Sequence, residues 1–355
     1  MKIIRPLTIT DAIMSSSNVA EAAPAAYAGG TTYAIGNVVS VATGQTQAVY
    51  TSLQNSNTGH APASSPTWWE YTSTTYSTWL VGTTYALNDK VIVVGTNSHL
   101  IYQSLQASNT GHTPGGTTPD TWWQVIGNTN RWLAFDGSVT SQTLNAENIN
   151  WTLATTGRND SVALCNISAY SVTITMTDAT DGVVFNQTSI LVMPSAIIDF
   201  YSYCFEPIRR QSDFVVTGMP PYGGATLSIT LTDVGAMVAC GACVVGQSFD
   251  CGGTQYGMSL GIQDYSIKQK DTFGNYTILQ RAFNKRAVLS MLVDSGNVDI
   301  LEALLAQYRA TPIVYIADGQ GAYASSIIYG YYKDFSVSVD YPTVSVCSIE
   351  IEGLT

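Results

Sequence analysis

Residues 56–62 read SNTGHAP, and residues 108–114 read SNTGHTP. One seven-residue phrase is written twice, 52 positions apart, and its flanks repeat with it. GGTTYAIGNVV (29–39) answers to VGTTYALNDKV (81–91), and VYTSLQNSNTGHAP (49–62) to IYQSLQASNTGHTP (101–114). Tyr27 pairs with Trp79, Tyr33 with Tyr85, Tyr50 with Tyr102, and His60 with His112 at the same offset. Trp68-Trp69 and Trp122-Trp123 follow at an offset of 54, so the second copy has gained two residues after its proline. A fixed internal period outranks every other signal in assigning a fold. It divides residues 27–126 into two tandem modules, 27–76 and 77–126.

The flanking composition agrees. Residues 27–126 hold only four charged side chains, Glu70, Asp89, Lys90 and Asp120, yet five of the seven tryptophans. Charge returns beyond Gly127–Asn130, where a larger region, 127–355, begins. Residues 1–26 form an N-terminal assembly segment. Thr, Ser, Gly, Tyr and Val are abundant throughout while charged residues are 11% of the chain, a mixture that favours strands and turns. The expected fold class is mainly β: two small β modules followed by a larger, β-sandwich-like region with one clear helix.

Two segments show the period of two that marks half-buried strands. In SVTITMT (171–177) Val172, Ile174 and Met176 alternate with hydroxyl residues, as Leu227, Ile229 and Leu231 do in TLSITLT (226–232). In VSVCSIEIE (344–352) Val344 and Val346 lie on one parity and Ile349 and Ile351 on the other, so a bulge near Cys347 or Ser348 is expected. The helix is expected in NVDILEALLAQYRATP, with Asn297 as cap, Val298, Leu301, Leu304, Leu305 and Tyr308 on one face, and Pro312 as stop. GMPPYGG (218–224) reads as a turn or a joint between two sub-domains.

A net charge of −11 argues against a nucleic-acid reader, which needs a clustered basic face. The N-terminus lacks an uninterrupted apolar run, and GAMVACGACVVG (235–246) is too short and too glycine-rich to span a bilayer, so neither export nor membrane insertion is expected. All three histidines, His60, His99 and His112, lie in the modules, which leaves 127–355 without a histidine base for nucleophilic catalysis. Asp178 with Asp181, or Asp264 with Asp271, matches a glycosidase pair by residue type, but turn and surface roles are the expected ones. No catalytic residue and no cofactor is assigned. Cys240-Gly-Ala-Cys243 with Cys251 is a weak metal-ligand pattern, lacking a second CxxC; buried small side chains are the expected reading.

The aromatics of the modules point to sugars. Tyr and Trp offer a flat apolar face with a polar tip, which suits a pyranose ring as well as a core. Tyr33 and Tyr85 are expected in the module cores. Adjacent tryptophans in an extended strand face opposite ways, so one of each doublet should be buried and the other exposed. The pattern aromatic-x-x-Gly-Thr-Thr-Tyr, the YxSLQ strand and the closing Pro and Trp resemble the small chitin- and cellulose-binding modules of carbohydrate-binding families 5 and 12 (chitin-binding type 3). The Gly-Asp usual in the first turn of that family is Gly36-Asn37 and Asn88-Asp89 here. The resemblance implies exposed aromatics stacking on β-linked sugars. By position it points first to Trp69 and Trp123, then to Trp68 and Trp122, with Tyr27, Trp79, Tyr50 and Tyr102 as weaker candidates.

IIRPLTITDAIMSSSNVAE (3–21), NRWLAFDG (130–137) and YGMSLGIQDYSIKQKDTFGNYTILQRAFNKR (256–286) resemble tail-tip or baseplate proteins of tailed bacteriophages. That resemblance implies a non-enzymatic virion structural protein, synthesised in the host cytoplasm. Its implied partners are other tail proteins and a host surface polysaccharide, in a homo-oligomer expected first as a trimer and second as a hexamer. Two alternatives stay open: modules serving as spacers or oligomer contacts, and a secreted polysaccharide-degrading enzyme with accessory modules.

Overall fold

A computed structural model describes residues 1–116, 119–193, 199–205, 209–270, 272–319, 323–339 and 341–354. The chain is mainly β, 53% strand against 9% helical. The spine of its largest sheet is one 25-residue strand, Thr226–Asp250. Thr143–Ala154 and then Lys2–Pro6 pair along one edge of that strand, and Ser171–Asp178 and then Ser161–Ser168 along the other, all antiparallel. The two alternating segments face each other in register, Val172 on Leu231, Ile174 on Ile229 and Met176 on Leu227, and all six side chains are buried. Their alternation thus supplies one wall of a core that also takes in Trp132, Trp151 and Leu153.

The N-terminal segment belongs to this sheet. Lys2–Pro6 lies between the spine and Ile313–Ile316, and Met14–Ser17 pairs with Thr143–Ala154. Gly246 meets the Arg5 carbonyl so closely that a Cβ there would clash with backbone. The modules are therefore an insert between two parts of one sheet. GMPPYGG turns the chain from Asp213–Thr217 into the spine, and its Met219 is buried in the same core as residues before and after it, so it is a turn within one body.

Past the spine, Ile313–Ile316, Ile327–Ser338, Val344–Gly353 and Phe283–Asp294 continue the sheet. The helix Val298–Gln307 packs Leu301, Leu304 and Leu305 into a second core there. Asn297 stands at its N-cap but makes no side-chain capping bond, because a 3-10 turn, Ser295–Asn297, leads into the helix. A short helix, Phe200–Phe205, was not signalled by the sequence. The bulge expected near Cys347 is absent: Val344–Gly353 pairs with Phe283–Asp294 in unbroken register, burying Ser345, Cys347, Ile349 and Ile351. Small residues complete the inner face, so Val344 and Val346 remain on the outer one.

Each module is a three-stranded antiparallel sheet. Val38–Thr43, Thr46–Ser52 and Trp69–Tyr76 build the first; Lys90–Val93, Leu100–Ser104 and Trp123–Asn128 build the second. The registers correspond, Ser52 opposite Trp69 and Ser104 opposite Trp123.

Candidate functional site

The repeated phrase is first of all a structural device. Asn57 and Asn109 are buried, and each side-chain amide donates to the hydroxyl of Ser52 or Ser104, at 2.9 and 3.0 Å. Their backbones bridge to Tyr33 and Tyr85. Gly59 and Gly111 adopt φ of 78° and 75°, a conformation that costs glycine nothing, and so reverse the chain. The carbonyls of His60 and His112 then accept the indole N–H of Trp69 and Trp123, both at 2.7 Å.

That bond fixes which tryptophan of each doublet is inside. Trp69 and Trp123 are each 2% exposed, edge-on to Tyr33 and Tyr85 at 5.1 and 5.2 Å. They are the module cores, with Val39 and Val91. The leading sugar-platform assignment, Trp69 and Trp123, is therefore corrected: a ring sealed in the core cannot stack on a ligand. In a three-stranded sheet of this size the indole is the largest side chain of the core, where it packs with Tyr33 or Tyr85. Tyr102 is also buried, while Tyr27, Tyr50 and Trp79 are half-buried and pack against the same clusters.

Trp68 and Trp122 are likewise half-buried against these clusters, and each carries a histidine. The rings of His60 and Trp68 stack with centroids 3.9 Å apart and planes 11° from parallel; those of His112 and Trp122 stack at 3.7 Å and 9°. The sequence placed His60 and His112 in polar turns and gave them no ligand role. The signal that could have found them is that each histidine recurs in the repeated phrase shortly before a doublet that must leave one indole outside, 8 residues ahead in the first copy and 10 in the second. In the second module the stack borders a cleft of about 410 Å³, lined also by Gly111, Thr113 and Asp120. The Asp120 carboxylate accepts the backbone N–H groups of Gly115, Trp122 and Trp123 at 2.8–3.0 Å and so fixes the doublet. In the first module the Ser65 carbonyl receives the N–H groups of Trp68 and Trp69 instead.

His99 has a different place. It is buried where the modules meet the body, its Nδ1 2.6 Å from Glu21 Oε2 and its Nε2 3.2 Å from Asp11 Oδ1. Glu21 also accepts from the hydroxyl of Thr129 and lies 3.5 Å from Arg131, while its backbone carbonyl takes the Thr75 hydroxyl of the first module. One residue thus ties the first module through its backbone carbonyl, and the second module and the far side of the insertion through its carboxylate.

The other candidates resolve into structure. Asp178 accepts the N–H groups of Thr180 and Asp181, bonds that hold its carboxyl below the usual range, and Asp181 accepts from Tyr222 at 2.9 Å. Asp264 is likewise held low by Ser266 and Lys268, and Asp271 lies outside the described residues. Cys240 and Cys243 share one core and Cys251 sits in another. Burial pushes all three thiols up, Cys251 to about 12, and with Cys251 in a separate core the three do not converge on one site. Among the described residues no group of three or more His, Cys, Asp or Glu side chains is placed to hold a metal ion, and no helix is long and apolar enough to cross a membrane.

Comparison with protein-family models, with curated proteins and with solved structures finds no match to this chain.

Proposed function

We propose that the twin modules are glycan-contacting elements, presented by a β-rich scaffold that belongs to the tail tip or baseplate of a phage particle. The observation that carries the glycan reading is the repeated, half-exposed Trp–His stack, Trp68 with His60 and Trp122 with His112. Trp68 and Trp122 pack in part against the module cores, and each keeps part of its ring outside with a histidine laid along it, in both copies. A flat indole with polar groups beside it suits the apolar face of a sugar ring, and two copies in one chain raise a weak contact through effective concentration. The particle assignment rests on the tail-protein phrases and on the way residues 1–26 enter the large sheet, which makes the modules an insert in a scaffold.

Retention of the full chain on insoluble chitin, cellulose and host cell-wall polysaccharide tests the glycan reading. Trp68→Ala with Trp122→Ala should lower retention at least about tenfold, the scale expected when two stacking contacts of about 1 kcal/mol each are lost. Undiminished retention by a folded double variant removes the platform and favours modules that act as spacers.

A further inference from the structure

We propose that Leu53 and Leu105 complete the two glycan platforms, each extending its outer indole into an apolar strip that takes consecutive rings of a linear β-linked polysaccharide. The inference rests on the glycan reading of Trp68 and Trp122. The Leu53 amide donates to the Trp68 carbonyl and the Leu105 amide to the Trp122 carbonyl, both at 2.9 Å. These bonds carry the registers Ser52–Trp69 and Ser104–Trp123 one step further. Cross-strand partners share a face, and successive residues alternate between faces. Ser52, Trp69, Ser104 and Trp123 are buried, so each leucine stands beside the outer indole of its module. Leu53 and Leu105 are 40% and 39% exposed, and neither joins a module core.

The duplication separates a retained surface residue from a tolerated one. Where the surface makes no demand the copies have diverged, the exposed Val38 being answered by Lys90 and the exposed Asn55 by Ala107. Leucine stays leucine at 53 and 105. Its neighbours are occupied in folding: the Ser52 hydroxyl donates to the Gln54 carbonyl, and the Gln54 side-chain amide to the Thr67 carbonyl. Ser104, Gln106 and Thr121 repeat both bonds. The flanking side chains thus hold the turn, whereas the leucine contributes only its backbone to it. An exposed aliphatic side chain kept beside an exposed indole, twice in one chain, is a contact surface. Adjacent strands lie about 4.8 Å apart, close to the advance of one ring along a β-linked sugar chain. A ring stacked on the indole therefore sets its neighbour over the leucine, whereas a terminal sugar would use the indole alone.

Retention of the full chain on insoluble chitin and cellulose, both linear and β-linked, tests the strip. Leu53→Ser with Leu105→Ser should lower retention about fivefold, the scale of two part-covered leucines, with the unfolding temperature unchanged because neither side chain packs in a core. Leu53→Met with Leu105→Met should keep wild-type retention. On chitin, tetra-N-acetylchitotetraose should displace the wild type at a concentration at least about tenfold below that of N-acetylglucosamine, as two ring contacts do against one; on cellulose, cellotetraose should do the same against glucose. Full retention by the serine variant, where Trp68→Ala with Trp122→Ala loses it, would overturn the strip and leave the glycan reading standing. Full retention by both variants would overturn both. A serine variant that unfolds earlier in step with its lost retention would make the leucines packing residues, and a tetrasaccharide no better than its monosaccharide would make a terminal sugar the ligand; either result overturns the inference. So would retention on host cell-wall polysaccharide but on neither linear polymer.

Discussion

The imidazole of His112 lies flat on the indole of Trp122, centroids 3.7 Å apart and planes 9° from parallel, while its backbone carbonyl holds the next indole, Trp123, at 2.7 Å. One residue thus serves both members of the doublet, the backbone bonding the inner ring and the side chain covering the outer. The first module repeats this with His60, Trp68 and Trp69.

The two rings of each doublet should respond differently to truncation. Trp69→Ala or Trp123→Ala empties a module core and should cost about 3–5 kcal/mol. Trp68→Ala or Trp122→Ala should cost about 1 kcal/mol, the value of one aromatic contact. Chemical unfolding followed by near-ultraviolet circular dichroism distinguishes them, and equal losses would contradict the division into inner and outer rings.

Asn57 and Asn109 should tolerate no apolar replacement. Asn109→Leu keeps the branched shape but removes the amide that bonds Ser104, leaving a buried hydroxyl without its donor, at a cost of about 1–3 kcal/mol. Ser104→Ala in the same background should recover part of that loss, and a thermal-unfolding double-mutant cycle reads the coupling.

Glu21 joins both modules to the body through Thr75, His99, Thr129 and Arg131. Glu21→Ala should cost about 3–5 kcal/mol by leaving buried polar partners uncompensated. Glu21→Gln, which retains an acceptor, should lose less. Limited proteolysis should cut Glu21→Ala near residues 20–26 and 127–130 before it cuts either module.

Thiol chemistry predicts an alkaline weakness. Burial raises Cys251 from 9.0 to about 12 and pushes Cys165 and Cys243 up as well, so these groups bind protons more tightly folded than unfolded. Their contribution is complete below pH 9.0 and is lost as pH rises from there through about 12. The denaturation midpoint should therefore fall steadily above pH 9.0. At neutral pH Cys204, the exposed cysteine, should react fastest with a thiol reagent, with the buried five released only on unfolding.

The mainly β class, the doubled module, the two alternating strands and the helix ending before Pro312 were all legible in the sequence. Each rests on local physics: a repeat period, a side-chain period of two or a spacing of three to four. Site assignment was less direct. Alternation required that one indole of each doublet be buried, but parity alone does not say which, and the assignment of Trp69 and Trp123 to the outside was wrong. The histidines escaped notice because their polar turns explained them sufficiently.

By itself, then, the sequence determined the elements, the duplication and the presence of an inner and an outer indole, since these follow from neighbours along the chain. Only the tertiary structure decided that Trp69 and Trp123 are the inner pair, that Lys2–Pro6 and Met14–Ser17 belong to the same sheet as Thr226–Asp250, and that His99 of the insert meets Glu21 ahead of it. Those facts depend on contacts between residues far apart in sequence, such as Lys2 on Asp250 or Thr129 on Glu21, and no local period encodes them.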